Sequence, residues 1–153
     1  RSSAASDVYK RQAMTTAMTE SQTIAELVRT PRTVAVVGLS PKPHRDSFKV
    51  AQYLQRQGWR IVPINPNASE ILGEKVYRSL TEAAAHARIE LVNVFRNSED
   101  VPPVVDEAMA IGAPAIWLQL GIRHDAALAK AQAAGLQTVQ DKCLLVEHAR
   151  RAP

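Results

Sequence analysis

The sequence predicts an α/β protein with a Rossmann-like, doubly wound parallel sheet of about five strands, covered by helices on both faces. Short runs rich in Val, Ile and Leu alternate along the chain with helical segments, which is the pattern of β-α-β units. The strand runs are largely apolar, as in strands that are buried on both faces. Because crossovers between parallel strands are right-handed, we expect an open sheet with the strand order 3-2-1-4-5.

The predicted strands are short and lie, in chain order, at 32–37, 60–66, 89–95, 115–120 and 136–139. The second strand contains Pro63, which favours a strand that is unpaired on one side or close to its end. Trp117 lies in the middle of the fourth strand, so we expect its side chain in the core. An irregular connection covers 71–80.

The predicted helices lie at 21–28, 47–57, 81–87, 101–111, 124–134 and 143–150. Their starts are marked by residues that cap helix N-termini, Ser21, Ser47, Thr81 and Ser98. Their ends are marked by glycines, Gly58, Gly112 and Gly135.

Composition restricts the class of protein. A chain of 153 residues is a usual size for one domain with its own core. It has one cysteine, Cys143, so an internal disulfide is impossible and we expect a reducing, cytoplasmic location. No apolar run reaches the roughly 18 residues of a membrane span, and the four histidines lack metal-ligand spacing.

Residues 1–13 are expected to be an unstructured leader carried over from an adapter sequence, and 14–153 the single domain. The leader is polar, and it lacks the apolar centre of a signal peptide. The formal net charge of the chain is +4, but residues 1–12 hold three basic residues and one acidic residue. The remaining 16 basic and 14 acidic residues give only +2, so we expect no nucleic-acid partner.

A strand, a polar loop and a helix start follow one another after residue 33. Gly38 ends the strand, the loop carries Ser40, Lys42 and Arg45, and Ser47 begins the helix. Glycine lets the backbone turn and lets a ligand approach closely. The N-terminal end of the helix favours a phosphate group. The alternative is an ordinary strand-to-helix turn with a solvated basic loop.

The same loop disfavours a nicotinamide nucleotide. Ser40 and Pro43 stand where the G-x-G-x-x-G pattern has its second and third glycines. Asn65 ends the second strand, where an NAD site has an acid for the ribose hydroxyls. No basic residue stands there for the extra phosphate of NADP.

In the predicted strand order the direction of winding reverses between the first and fourth strands, and ligands bind at such a reversal. We therefore expect residues 38–47 to face the residues after the fourth strand, Gln119, Gly121, Ile122 and Arg123. The pairs Asn65-Pro66 and Phe95-Arg96 are expected alongside.

Seven short motifs carry a resemblance to a known family. They are Val37-Gly38-Leu39-Ser40, Arg45-Asp46-Ser47, Val62-Pro63-Ile64-Asn65-Pro66, Leu72-Gly73-Glu74-Lys75-Val76-Tyr77, Val94-Phe95-Arg96, Ile116-Trp117-Leu118-Gln119-Leu120-Gly121 and Asp141-Lys142-Cys143. In order and spacing they resemble the single-domain CoA-binding proteins, which are related to the CoA-binding domain of the succinyl-CoA synthetase alpha chain. The resemblance covers roughly residues 24–150.

The resemblance implies a Rossmann-like fold and coenzyme A, or an acyl-CoA, as the ligand. The residues implied to meet the phosphates are Gly38, Leu39, Ser40, Arg45 and Ser47. Those implied to flank the adenosine end or to close the crevice are Asn65, Pro66, Phe95, Arg96, Gln119 and Gly121. CoA is polyanionic and needs Arg and Lys partners, which Lys42 would supplement. Its pantetheine arm suits an apolar slot.

Three functions stay open at this point. The first, which we favour, is binding of CoA or an acyl-CoA without catalysis, since no catalytic combination of residues is visible. The second is a CoA-thiol-dependent enzyme that uses Cys143, although a lone cysteine is more often a small buried residue. The third is an NAD(P) or adenine-nucleotide binding module. The acyl group and the oligomeric state are left open.

Overall fold

The computed structural model describes residues 18–152 of the chain, so the leader predicted at 1–13 lies outside the described residues. The helices are α1 (Glu20–Val28), α2 (Asp46–Arg56), α3 (Leu80–Ala84), α4 (Val101–Ala110), α5 (Asp125–Ala133) and α6 (Leu144–Arg151). The strands are β1 (Thr33–Val37), β2 (Arg60–Ile64), β3 (Glu70–Ile71), β4 (Glu74–Lys75), β5 (Leu91–Val94), β6 (Ala115–Leu118) and β7 (Gln137–Val139). None of these helices is long and apolar enough to cross a membrane.

Five strands form one parallel sheet in the order β2-β1-β5-β6-β7. Helices connect β1 to β2 and each strand from β5 onwards to the next. The predicted α/β fold with a Rossmann-like sheet is therefore confirmed. The short strands β3 and β4 form a separate antiparallel pair.

The predicted strand order 3-2-1-4-5 is wrong. When the sheet strands are numbered along the chain, the order is 2-1-3-4-5, because the third of them, β5, pairs with β1. The position beside β2 is taken instead by the segment after the β3–β4 pair, where Tyr77 forms a single parallel bridge with Ile64. The reversal of winding thus lies between β1 and β5. The loops that follow these two strands are direct neighbours.

Each face of the sheet carries its own hydrophobic layer. Helices α1, α2 and α6 pack on one face, and α3, α4 and α5 pack on the other. Trp117 is fully buried in the first layer, which confirms its predicted core position. Burial of one large apolar side chain contributes about 1.5–3 kcal/mol to stability. The two layers therefore hold the strands, and the loops at their carboxyl ends, in fixed relative positions.

Candidate functional site

Gly38 ends β1 where the winding of the sheet reverses. Its φ of +86° lies in the left-handed region, and its N–H donates to the carbonyl of Ile64 at 2.9 Å. A Cβ at this position would overlap the carbonyl oxygen of Phe95. The N–H of Phe95 in turn donates to the carbonyl of Val37 at 2.8 Å. The turn after β1 therefore lies directly against the turn after β5, and only glycine fits there.

Ser47 folds the loop back onto the first turn of α2. Its hydroxyl oxygen accepts a hydrogen bond from the N–H of Ser40 at 3.0 Å, and Ser47 is buried. Ser47 is the second residue of the helix, so its predicted role as the N-cap is wrong. Arg45 occupies that position, with no capping bond from its side chain. The hydroxyl of Ser40 accepts from the N–H of Lys42 at 3.1 Å, which closes the loop further.

Several backbone N–H groups at this turn have no acceptor among residues 18–152. They belong to Leu39, Asp46, Ser47 and Phe48. The last three are in the first turn of α2, whose N–H groups point out of the helix end. Unpaired N–H groups at a helix N-terminus, together with the helix dipole, make a site for an anion such as phosphate.

Three basic side chains surround the turn without a carboxylate partner. Lys42, Arg45 and Arg96 are exposed, and no described acidic group lies within ion-pair distance of them. Lys42 and Arg45 come from the loop after β1. Arg96 follows Phe95, the residue that contacts Gly38. Positive charge without an internal partner at the mouth of an N–H-lined turn favours a polyanionic ligand.

Asn65 ties the loop after β2 to the loop after β1. Its amide nitrogen donates to the carbonyl of Leu39 at 2.9 Å, and its amide oxygen accepts from the N–H of Asn67 at 2.7 Å. The side chain is thus engaged in holding the two loops together. Pro66 next to it is exposed, so this edge of the turn offers an apolar surface rather than a free amide.

Gln119 and Gly121 follow β6, which is separated from β1 by β5. The structure therefore does not set them opposite Gly38, as the wrong strand order had suggested. The amide oxygen of Gln119 accepts from the N–H of Leu144 at 3.3 Å. The N–H of Gly121 donates to the carboxylate of Asp141 at 2.7 Å. These residues connect the carboxyl edge of the sheet to the start of α6.

Asn93, which we did not single out from the sequence, lies next to Gln119. It is fully buried in the middle of β5. Its amide nitrogen lies 3.3 Å from the amide oxygen of Gln119, and its own oxygen has no hydrogen-bond partner among the described residues. A single amide side chain inside the apolar run of a buried strand was the signal in the sequence that could have identified it.

Cys143 lies immediately before α6 and is half-buried. It packs against the same hydrophobic layer as Phe95 and Phe48. Its backbone is fixed, because its carbonyl accepts from the N–H of Glu147 at 3.0 Å. The neighbouring carbonyl of Lys142 accepts from the indole N–H of Trp117 at 2.8 Å. The thiol therefore has a defined position near the N-terminal end of α6.

A groove elsewhere in the described chain suits the predicted ligand poorly. A groove of about 460 Å³ beside β7 is lined by Glu20 and Asp125 and by no basic residue, so it disfavours a polyanion. No group of three or more His, Cys, Asp or Glu within 18–152 could hold a metal ion.

Comparison with known proteins gives a family match and a similar protein from another organism. The model of the family described as the CoA binding domain matches residues 32–149. The chain is 38% identical over 126 residues to the uncharacterized protein YneT of Bacillus subtilis (strain 168), with 82% of this chain and 92% of that protein covered.

Solved structures show the same fold. The chain is similar to a hypothetical protein from Pyrococcus horikoshii OT3, with a TM-score of 0.80 and 34% identity over 88% of this chain and 92% of that chain. It is also similar to a dinucleotide-forming acetyl-coenzyme A synthetase from Ca. Korarchaeum cryptofilum in its apo form. There the TM-score is 0.65 and the identity 20%, over 76% of this chain and 28% of that chain, so this likeness concerns the fold alone.

Proposed function

Because the chain belongs to the CoA-binding domain family, we propose that it binds coenzyme A or an acyl-CoA between the ends of β1 and β5 without catalysing a reaction by itself. The observation that carries the proposal is the turn at Gly38. N–H groups and basic side chains that have no partner within residues 18–152 converge there. A reducing, cytoplasmic location, expected from the free Cys143, belongs to the same proposal.

In this proposal the pyrophosphate lies against Gly38, Leu39 and Ser40 and the first turn of α2. The N–H of Leu39 and those of the helix start are the donors, and no side chain has to move to free them. Lys42, Arg45 and Arg96 neutralise the pyrophosphate and the 3′-phosphate. Charge-assisted hydrogen bonds of this kind are roughly twice as strong as neutral ones.

The adenosine end is assigned to the surface formed by Pro66 and Phe95. Both residues follow strands that flank β1, and an adenine ring stacks on apolar and aromatic side chains. Asn65 supports the surface from below through its bond to Leu39. The pantetheine arm then runs over β5 toward Gln119, Gly121 and the start of α6, where Cys143 and Phe48 supply apolar contacts.

Two further functions are the alternatives that an experiment must separate. An NAD(P) site is opposed by the amide of Asn65, since it offers no carboxylate to the ribose hydroxyls. An enzyme that uses the Cys143 thiol requires a base, and no described residue forms a hydrogen bond with that thiol. The N–H-lined turn would accept the phosphates of any of these nucleotides, so the observation that favours CoA over NAD(P) is the family match.

The test is a thermal-unfolding panel with CoA, acetyl-CoA, NAD, NADP and ATP, followed by calorimetric titration of the ligands that stabilise. A ligand at 100 times its Kd stabilises the native state by about 2.7 kcal/mol. This raises the Tm of a chain of this length by roughly 5 °C or more. We expect that shift with CoA or acetyl-CoA. A shift with NAD or NADP and none with either CoA compound would contradict the proposal.

A further inference from the structure

Asn93 carries an acceptor that the described residues 18–152 leave unused. The residue lies in β5 between Val36 of β1 and Trp117 of β6 and is completely buried. Its amide nitrogen lies 3.4 Å from the carbonyl oxygen of Trp117 and 3.3 Å from the amide oxygen of Gln119. Its own amide oxygen has no donor within the described residues. A buried polar atom without a partner is costly, and most such atoms in proteins are paired.

The surrounding groups fix the orientation of both amides. The carbonyl oxygen of Trp117 lies 3.4 Å from the Asn93 amide, so the nitrogen of Asn93, and not its oxygen, must face it. The N–H of Leu144 needs an acceptor, so the oxygen of Gln119 must face α6. Exchanging oxygen and nitrogen in either side chain would set like groups against each other. The unused oxygen of Asn93 is therefore turned away from the carbonyl of Trp117.

Gln119 offers a hydrogen-bond donor, its amide nitrogen, that complements the unused acceptor of Asn93. Its side chain is buried, with 5% exposed, and its oxygen serves both Asn93 and Leu144. Its amide nitrogen donates to no residue in the 18–152 range. The two side chains together present one free acceptor and one free donor. A trans amide directs its N–H and its carbonyl to opposite sides, so a chain with two secondary amides is needed, one supplying the N–H and the other the carbonyl.

We infer that Asn93 and Gln119 recognise the two amides of the pantetheine arm: the Asn93 oxygen accepts from the N–H of one amide, and the Gln119 nitrogen donates to the carbonyl of the other. This inference rests on the proposed function. Phe95 lies two residues after Asn93 on the same face of the sheet and is half-buried. The side-chain amides of Asn93 and Gln119 thus discriminate CoA from adenine nucleotides that lack the pantetheine arm.

The position of the pair agrees with the phosphate site. Neighbouring strands are about 4.8 Å apart, so the end of β6 lies roughly 10 Å from the end of β1. An extended pantetheine arm whose pyrophosphate rests at Gly38 covers this distance with its amides. Cys143, next to Leu144, then lies beside the thiol end of the arm rather than beside the phosphates.

Calorimetric titration of two ligands tests the inference: CoA, and adenosine 3′-phosphate 5′-diphosphate, which lacks the arm. In Asn93→Leu we expect CoA to bind at least tenfold more weakly and the armless ligand to bind within twofold of wild type. The Tm of the unliganded variant should stay close to that of wild type, because the removal of a buried orphan acceptor offsets the loss of the donor to Gln119. Thr138→Val, a buried polar change in β7, is the matched control and should leave both affinities unchanged.

A change on the ligand side keeps the test independent of how Asn93→Leu folds. A CoA analogue whose arm amides are replaced by esters lacks the N–H donors and should bind wild type at least tenfold more weakly than CoA. Wild-type affinity of Asn93→Leu for CoA, an equal loss for both ligands, or equal binding of the ester analogue would overturn the inference. If wild type binds neither CoA nor the armless ligand, the proposed function fails first.

Discussion

The carbonyl oxygen of Phe95 occupies the space that a Cβ on Gly38 would need. This contact joins the carboxyl ends of β1 and β5 across the reversal of winding, and it sets the width of the crevice. It also explains why a single glycine suffices where the G-x-G-x-x-G pattern uses three. The close approach here is between two strands of the protein, whereas the later positions of the turn hold Ser40 and Pro43.

Gly38→Ala should destabilise the fold by combining two costs. An L-residue in the left-handed region costs roughly 1–2 kcal/mol, and the overlap with Phe95 adds further strain. The matched control is Gly112→Ala, because Gly112 has a φ of +74° but nothing within 4 Å of its added Cβ. Urea unfolding should show Gly38→Ala to be at least about 2 kcal/mol less stable than Gly112→Ala. Equal losses in the two variants would show that the contact with Phe95 is easily relieved.

Arg45→Ala and Arg96→Ala should each weaken CoA binding about tenfold or more. A hydrogen bond to a charged group contributes roughly 1.5–3 kcal/mol, and both side chains are exposed without an ion-pair partner in the described chain. For the same reason their removal should leave the Tm of the unliganded protein nearly unchanged. Calorimetric titration measures the affinities.

Arg88→Ala is the control for these two variants, because Arg88 is also exposed. It precedes β5 and so lies at the amino-terminal ends of the strands, away from the proposed site. It should bind CoA like wild type. The CoA affinity of wild type should fall as salt is raised, since exposed charges are screened. Wild-type affinity in both Arg45→Ala and Arg96→Ala would show that the phosphates are held elsewhere.

The positions of most elements could be predicted from the sequence, because apolar runs and glycine stops mark them locally. The strand order could not, since it depends on a competition for the edge of β2. The irregular segment ending in Tyr77 occupies that edge through a single bridge to Ile64. No periodic pattern in the sequence indicates this bridge. The wrong strand order placed the reversal of winding between the first and fourth strands, whereas it lies between β1 and β5. It led us to expect Gln119 opposite Gly38, where Phe95 lies.

Side-chain roles were predictable where backbone geometry dictates them, as for Gly38, and not where partners are distant in sequence. Ser47 is of a residue type that often caps helices, yet its hydroxyl oxygen accepts a hydrogen bond from the N–H of Ser40. Asn93 and Gln119 meet only because β5 and β6 pair. The sequence itself gives the charges of Lys42, Arg45 and Arg96. Only the structure shows that these side chains have no carboxylate partner among the described residues.

Acidification should destabilise the contact between α2 and α6. The hydroxyl of Tyr53 lies 2.7 Å from Nδ1 of His148, and the ring of Trp59 lies against the same imidazole. Burial lowers the pKa of His148 from its ordinary value of 6.5. The unfolded chain therefore binds this proton first as the pH falls. The free energy of unfolding should therefore fall as the pH is lowered below about 6.5. Above that pH it should not depend on the ionisation of His148.

Urea unfolding between pH 5 and pH 7.5 measures this dependence. His148→Gln should remove the part of the slope that belongs to the imidazole. His44→Gln, a change in an exposed ring of the loop after β1, should keep the wild-type slope. A His148→Gln variant with the full wild-type slope would assign the pH dependence to other groups.

Cys143→Ser should bind CoA within about threefold of wild type, because the thiol is assigned to packing beside the end of the arm and not to a bond with the ligand. Its position still allows one reaction. With CoA disulfide, the Cys143 thiolate would attack one sulfur, form a mixed disulfide and release one CoA thiolate, without a catalytic partner. Intact-mass spectrometry detects the adduct, and Cys143→Ser is the control that cannot form it.

The same measurement separates a binding protein from an enzyme. A mixed disulfide that forms with CoA disulfide and is removed by reductant makes Cys143 a redox-sensitive anchor, and no adduct makes it purely structural. Both outcomes agree with binding without catalysis. Catalysis would require an acyl group on Cys143 that appears with acetyl-CoA and is then transferred or hydrolysed. We expect no such intermediate, because no described residue hydrogen-bonds the thiol and could act as its base. A turning-over acyl-Cys143 would contradict the non-catalytic function while leaving the phosphate site intact.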